Sequence, residues 1–208
     1  VRDVFEKVGS FSVYNLGNQI IGWFAANADS LIVGRLFGAS ALGYYNKAYN
    51  LYSYPLNILT APITDTMLPF FAPLQNNVEA LRKRFLDVFH KVSFLSALCT
   101  AGMNVCASDI ILIMYGENWA PAISLLSVLA FAVYSRGVNG AFSALLNATG
   151  RPDLLMRCTA INTIVTLGMI FLGGALGSVQ SLATCVAIAY NLEMILPIYF
   201  CARFCLNM

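Results

Sequence analysis

Six long apolar stretches, separated by short polar or glycine-bearing turns, make up most of the chain. A helix needs about 20 mostly apolar residues to cross the ~30 Å hydrocarbon core of a bilayer, and each stretch is long enough to do so. After a linker at 1–10, the predicted spans are 11–37, 42–71, 92–114, 121–147, 154–176 and 179–204. The pattern therefore predicts an all-α polytopic membrane protein with six transmembrane helices.

The turn between the first two predicted spans organises this pattern. Gly38 and Gly43 interrupt the helical periodicity and let the chain reverse. Tyr44, Tyr45 and Tyr49 follow, where the second span re-enters the membrane. Because tyrosine combines an apolar ring with a polar tip, these three suit a membrane–water interface. We therefore predict a transmembrane hairpin.

Residues 72–91 form the one long polar connection between predicted spans. Leu81, Phe85 and Val88 recur at helical spacing, while the basic residues lie mostly off that face. This predicts a short amphipathic helix on the membrane surface, where each basic residue gains about 1 kcal/mol near anionic membrane lipids. A solvated charged loop is the alternative.

Composition excludes a soluble domain and gives an orientation. The chain is 59% apolar and only 11% charged, whereas soluble domains carry about 25% charged residues. Nine of the twelve Lys and Arg residues fall on one side of the predicted spans and two on the other, with Arg136 inside the fourth span. Because cytoplasmic loops are enriched in Lys and Arg, both ends and the 72–91 connection are expected in the cytoplasm.

Several classes of site find no support in the sequence. The six cysteines form no C-x-x-C pair and His90 stands apart from them, so no metal, disulfide framework or cofactor is expected. There is no Gly-rich phosphate loop and no nucleic-acid signature. The chain opens on Val1 and a charged run without a signal peptide, so we expect a segment of a longer protein.

The fourth span carries the strongest candidate site. Arg136, Asn139, Ser143 and Asn147 lie at i, i+3, i+7 and i+11, on one face of a helix. A charge in hydrocarbon costs ~2.5–3.5 kcal/mol, so Arg136 is expected to face a cavity or a partner. Its planar fork matches phosphate and carboxylate groups. The alternative is a structural arginine that is neutralised by an acidic residue of another span.

Other predicted spans also have a polar side, which indicates a bundle around a hydrated cavity. Interhelical hydrogen bonds that only hold helices together are the alternative for single Asn and Thr residues. Asp29 could also pair with Arg35 at the membrane edge. The candidate substrate-binding residues are Arg136, Asn139, Ser143, Asn147, Asn18, Asp29, Asn57 and Glu193.

Three stretches of this sequence, in their order and spacing, resemble one known family. They are 29–35 continuing through 41–45 and 48–49, then 115–122 followed by 125–126, and 145–147 leading into 150–154. Together they resemble the bacterial O-antigen and exopolysaccharide flippases of the multidrug/oligosaccharidyl-lipid/polysaccharide exporter superfamily. The resemblance covers almost the whole chain.

This resemblance implies a fold, an activity and partners. It implies a two-lobed transporter of the bacterial cytoplasmic membrane, of which this chain is similar to the C-terminal six-helix lobe. Such proteins are not enzymes; they flip an undecaprenyl-diphosphate-linked oligosaccharide by alternating access, and cations of the cavity engage the diphosphate, a role that Arg136 matches in kind. The implied partners are this lipid-linked substrate, membrane lipids, the N-terminal lobe and polysaccharide polymerase or assembly proteins.

Two rival interpretations stay open. A drug/cation antiporter or a peptidoglycan-precursor flippase of the same superfamily is the nearest rival. A membrane glycan-modifying enzyme is the rival from another class, but it needs clustered acid, base or histidine residues, and His90 is the one histidine.

Overall fold

The computed structural model describes the backbone of residues 2–74, 77–149 and 152–205, and the side chains of residues 27–58, 67, 69–71, 73–74, 77–149 and 154–203. Regular secondary structure in this part of the chain is entirely helical, which confirms the all-α prediction. Its α-helices are α1 (Arg2–Phe71), α2 (Val78–Val105), α3 (Ala107–Tyr115), α4 (Pro121–Ala148), α5 (Pro152–Ala175), α6 (Val179–Leu192) and α7 (Ile195–Phe200). Shorter turns are 3-10 helices at Ala72–Leu74 and Glu117–Trp119 and a π-helix at Cys201–Cys205.

Helix α1 has two arms that meet at Gly38. This residue has φ 86° and ψ 177°, a region of backbone conformation that is essentially restricted to glycine. The arms pack on each other, as shown by a hydrogen bond from Ser30 Oγ to Asn46 Oδ1 (3.0 Å). The chain therefore turns at Gly38, while Gly43 is helical. Residues 2–10, predicted as a linker, form the first turns of α1.

Helix α2 is continuous across the predicted boundary between a surface helix and a membrane span at residues 91 and 92. It begins at Val78, where the Asn77 side chain accepts a hydrogen bond from the Ala80 N–H (3.0 Å). Hydropathy marks the expected edge of a membrane, but nothing in this stretch breaks a helix. A predicted short surface helix is therefore the first half of a longer one.

A bend of 68° separates α2 from α3. Before it, Thr100 Oγ1 donates to the Ser96 carbonyl and Asn104 Nδ2 donates to the Thr100 carbonyl. Side-chain donation to a carbonyl four residues back bends helices. The predicted span 92–114 is thus bent near Cys106 instead of straight.

Helix α4 lies at the centre, packed against α1, α2 and α6. Its close approach to α2 depends on Gly137, where an added Cβ would collide with Ser96 Oγ. Leu126, Leu129 and Val133 of α4 belong to one buried apolar cluster with residues of α1 and α6. This central position puts the polar face of α4 inside the bundle.

The apolar exterior and the helix lengths identify a multi-pass membrane protein. Among the described residues, three helices are long and apolar enough to cross a bilayer, or four if α2 and α3 form one bent span. Large apolar side chains such as Phe131, Ile164 and Phe171 point outward, 60 to 71% exposed. Since the side chains at 2–26 and 59–66 are outside the described set, the spans at 11–37 and 42–71 stay predictions. The three helices are Pro121–Ala148, Leu154–Ala175 and Val179–Arg203.

Substituting Gly38 tests whether its backbone conformation defines the turn of α1. No atom lies within 4 Å of a Cβ added at Gly38, so Gly38→Ala acts through backbone strain and is expected to cost about 1–3 kcal/mol of unfolding free energy. Gly102→Ala is the matched control, because the same open space surrounds a residue inside helix α2. Equal unfolding midpoints of both variants in detergent would contradict this account.

Candidate functional site

A cavity of about 700 Å³ opens between the C-terminal arm of α1, α4, α5 and the end of α6. Most of its lining side chains are polar but uncharged. One cation, Arg136, and one anion, Glu193, contribute to the lining. The lining residues are Tyr49, Tyr52, Ser53, Leu56, Asn57, Arg136, Asn139, Gly140, Ser143, Thr159, Asn162, Thr163, Thr166, Leu167, Tyr190 and Glu193.

The polar face of α4 supplies one wall of this cavity. Arg136, Asn139 and Ser143 line it, as does Asn57 of α1. Asn147 does not, because it lies at the end of α4, exposed and beyond the cavity. The structure therefore brings three residues of the predicted four-residue stripe together with Asn57 and Glu193.

An ion pair crosses the cavity from α4 to the end of α6. Arg136 Nη1 lies 3.2 Å from Glu193 Oε2, and Thr166 Oγ1 of α5 donates to Glu193 Oε1 at 3.1 Å. The guanidinium also lies over the ring of Tyr190, 4.4 Å from its centroid, a cation–π contact. Both carboxylate oxygens are thus bonded, and the charges of Arg136 and Glu193 cancel.

Pro197 explains why the helix breaks beside Glu193. Proline has no N–H to donate to the carbonyl four residues back, which here is the Glu193 carbonyl. Asn162 Nδ2 of α5 donates to that oxygen instead, at 3.0 Å. The break between α6 and α7 is therefore satisfied by a side chain of the neighbouring helix, and the same contact helps to position Glu193.

Asp29, a predicted cavity residue, lies elsewhere. It is 3% exposed between the arms of α1, where Tyr45 Oη donates to Oδ2 at 2.7 Å and the Ser30 N–H donates to Oδ1 at 2.7 Å. No ion pair joins Asp29 to Arg35 or Arg136 among the described side chains. Asp29 is thus bonded locally, because Tyr45 faces it across the Gly38 turn.

The remaining predicted site residue, Asn18, lies outside the described side chains. The sequence-based reasoning missed a group of tyrosines: Tyr49 and Tyr52 of α1 and Tyr190 of α6 all line the cavity. Tyr49 Oη lies 3.4 Å from Tyr190 Oη, and the rings of Tyr52 and Tyr190 stack at 6.3 Å. Helical spacing of Tyr45, Tyr49 and Tyr52 is the signal that could have placed them on one inward face.

The three tyrosines predicted at the membrane interface differ in burial. Tyr45 is fully buried between helices, because its hydroxyl bonds Asp29. Tyr44, in contrast, packs edge-on against Trp119 at 5.7 Å, and Lys47 Nζ lies 4.6 Å from the centroid of Tyr115. Three aromatic side chains, Tyr44, Tyr115 and Trp119, thus cluster with Lys47 between the turn of α1 and the 3-10 turn before α4.

Comparison with known proteins supports the family resemblance. A family model described as polysaccharide biosynthesis protein matches residues 1–124. Lipopolysaccharide biosynthesis protein WzxC of Escherichia coli (strain K12) is 28% identical over 79% of this chain and 33% of its own length. Teichuronic acid biosynthesis protein TuaB of Bacillus subtilis (strain 168) is 30% identical over 70% of this chain and 30% of its own length.

A third relative is named as a transporter. Succinoglycan biosynthesis transport protein ExoT of Rhizobium meliloti (strain 1021) is 22% identical over 81% of this chain and 34% of its own length. The chain spans about a third of the length of the curated relatives it matches. No solved structure matches the chain.

A double-mutant cycle tests the pairing of Asn162 with the carbonyl freed by Pro197. Asn162→Ala removes this part-buried hydrogen bond and is expected to cost about 0.5–1.5 kcal/mol of unfolding free energy. In a Pro197→Ala background the new N–H serves that carbonyl, so the same substitution is expected to cost little. The control is Asn191→Ala, because Asn191 Nδ2 donates to a carbonyl within the regular part of α6. Equal costs of Asn162→Ala in both backgrounds would refute the assignment.

Removing the hydroxyl of Tyr45 tests the bonding of the buried Asp29 carboxylate. Tyr45→Phe is expected to lower the unfolding free energy by about 1.5–3 kcal/mol, the range for a hydrogen bond to a charged group. Tyr44→Phe serves as the control, since the Tyr44 hydroxyl makes no hydrogen bond within the described part of the chain. Chemical unfolding in detergent measures both, and indistinguishable midpoints would show that the hydroxyl contributes nothing.

Proposed function

Because this chain belongs to a family of polysaccharide biosynthesis proteins, we propose that it is one lobe of a membrane transporter for lipid-linked glycans. The transporter moves an undecaprenyl-diphosphate-linked oligosaccharide repeat unit from the cytoplasmic to the outer leaflet of a bacterial inner membrane. The glycan head group passes through the hydrated cavity, while the lipid tail stays in the bilayer.

The observation that carries this proposal is a polar cavity inside an apolar bundle. Polar side chains in a membrane interior are costly and usually mark a substrate pathway. Here Asn57, Asn139, Ser143 and Thr163 converge on one space of about 700 Å³, a size typical of small-molecule sites. Side chains that only held helices together would instead be used up in contacts between those helices.

The relatives support a transport role in polysaccharide synthesis. Their names refer to lipopolysaccharide, teichuronic acid and succinoglycan, and one of them is named a transport protein. We therefore prefer a transporter to a membrane enzyme that modifies glycans. The family and the charge-neutral cavity also favour a glycan substrate over a drug or cation exchanged by an antiporter.

In this proposal a second lobe completes the cavity, and the Lys and Arg bias supports a cytoplasmic location for both ends of this lobe. Access alternates as the two lobes rock against each other around the substrate. The break between α6 and α7 at Glu193 and Met194 lies at the cavity wall. Because side chains of α4 and α5 hold this break, we expect the wall to bend there only when these contacts change as the lobes move.

Deleting the full-length gene tests the function in cells. We expect undecaprenyl-linked repeat units to accumulate, as measured by mass spectrometry of extracted lipids. The wild-type gene and a Phe131→Ala control, altered on the outward face of α4, should cure the accumulation. Arg136→Ala leaves Glu193 without its ionic partner and should lower transport by about tenfold or more.

The absence of accumulated lipid-linked units in the deletion strain would contradict the proposed function. Drug sensitivity of the same strain would then distinguish the antiporter alternative. If the Arg136→Ala gene prevents the accumulation as fully as the wild-type gene, the proposed function stands, but Arg136 has no role in substrate binding.

A further inference from the structure

We propose that this cavity binds the uncharged sugar portion of the lipid-linked substrate through its hydroxyl groups, and not the diphosphate. The inference rests on the proposed function and specifies which part of the substrate this site recognises. It departs from the simplest expectation for a cavity arginine, which is a phosphate contact.

The first argument is charge. An anion that approaches the Arg136 guanidinium also meets the Glu193 carboxylate, which lies 3.2 Å from Arg136 Nη1. No other charged residue lines the cavity within the described part of the chain, so its formal charge is zero. A diphosphate gains little from such a site, because attraction to the cation is offset by repulsion from the anion.

The second argument is a set of polar side chains that line the cavity and have no hydrogen-bond partner among the described residues. Asn57, Asn139, Ser143 and Thr163 line the cavity, and their side chains make no hydrogen bond to another described residue. The Asn139 side-chain oxygen Oδ1 is buried and unpartnered among the described groups. Buried polar atoms are rarely left without a partner, and rotation of the Asn139 amide toward the cavity that it lines would let this oxygen accept from a ligand.

The third argument is the direction of the hydrogen bonds. An ionised diphosphate only accepts hydrogen bonds, and an amide oxygen such as Asn139 Oδ1 also only accepts. A sugar hydroxyl donates one hydrogen bond and accepts others, so it can bond the Asn139 oxygen, the amide nitrogens and the Ser143 and Thr163 hydroxyls. A diphosphate could accept from the amide nitrogens and hydroxyls of these residues but would leave the amide oxygens unpaired, whereas a polyol can use both the donors and the acceptors. The diphosphate then contacts groups of the transporter outside this cavity.

The test compares two ligands on the purified full-length transporter. One is undecaprenyl diphosphate without sugar, and the other is the lipid-linked repeat unit extracted from cells that lack the transporter. The polar-wall variant, Asn139→Leu/Ser143→Ala, removes the two unused polar groups that α4 contributes. The variant Arg136→Gln/Glu193→Gln removes both charges and keeps the net charge at zero. Ser124→Ala, exposed on α4 outside the cavity, is the control.

We expect the polar-wall variant to weaken binding of the lipid-linked repeat unit by about tenfold or more. Its affinity for the sugar-free lipid should change by less than about twofold, and so should that of the charge-free variant. Thermal unfolding checks that the variants fold. If the double variant is unstable, the near-isosteric Thr163→Val provides a second probe of the wall. It should weaken binding of the repeat unit and leave binding of the sugar-free lipid unchanged.

Two results would overturn the sugar assignment. One is a tenfold or greater loss of affinity for the sugar-free lipid in the charge-free variant. The other is a polar-wall variant that binds the repeat unit like the wild type, or that weakens both ligands equally. If the deletion strain accumulates lipid-linked units in either case, the proposed function stands and only the sugar assignment fails. If it does not and wild-type protein binds neither lipid, both fail.

Discussion

A polar group inside a bilayer must be paired, hydrogen-bonded or hydrated, and this constraint accounts for the arrangement of α4, α5 and α6. The Arg136 guanidinium is paired with Glu193 and covered by the ring of Tyr190. Thr166 bonds the second carboxylate oxygen. Uncharged polar side chains of α4 and α5, among them Asn139, Ser143 and Thr163, line one shared cavity, while apolar side chains such as Phe131 point outward.

The same constraint applies to the backbone where the last span breaks. Pro197 frees the Glu193 carbonyl, and Asn162 bonds it from α5. Helix α5 therefore bonds both the carbonyl and the carboxylate of Glu193. Arg136 of α4 pairs with the other carboxylate oxygen. Asp29 and Tyr45 satisfy the constraint separately, between the arms of α1. Of these two polar centres in the described part of the chain, the one around Arg136 opens on the cavity and the one around Asp29 does not.

Helical periodicity predicted most of the α4 face, because Arg136, Asn139 and Ser143 share one side of any helix through them. It could not assign the partner of Arg136, since Glu193 and Asp29 are both compatible with the sequence and only tertiary packing selects between them. The role of Asn162 depends on a carbonyl 31 residues away. The predicted boundary between a surface helix and a membrane span at residues 91 and 92 lies inside α2, because hydropathy indicates the edge of the membrane and not the end of a helix.

The central claim is that the polar wall of α4 and α5 faces water inside an otherwise lipid-facing bundle. Labelling by a hydrophilic maleimide tests it directly, because thiols react as thiolates, which require a polar environment. In a cysteine-free full-length protein, Ser143→Cys should react about tenfold or more faster than Ile164→Cys, whose position on α5 is 71% exposed on the apolar exterior. Equal reaction rates at the two positions would contradict a hydrated cavity.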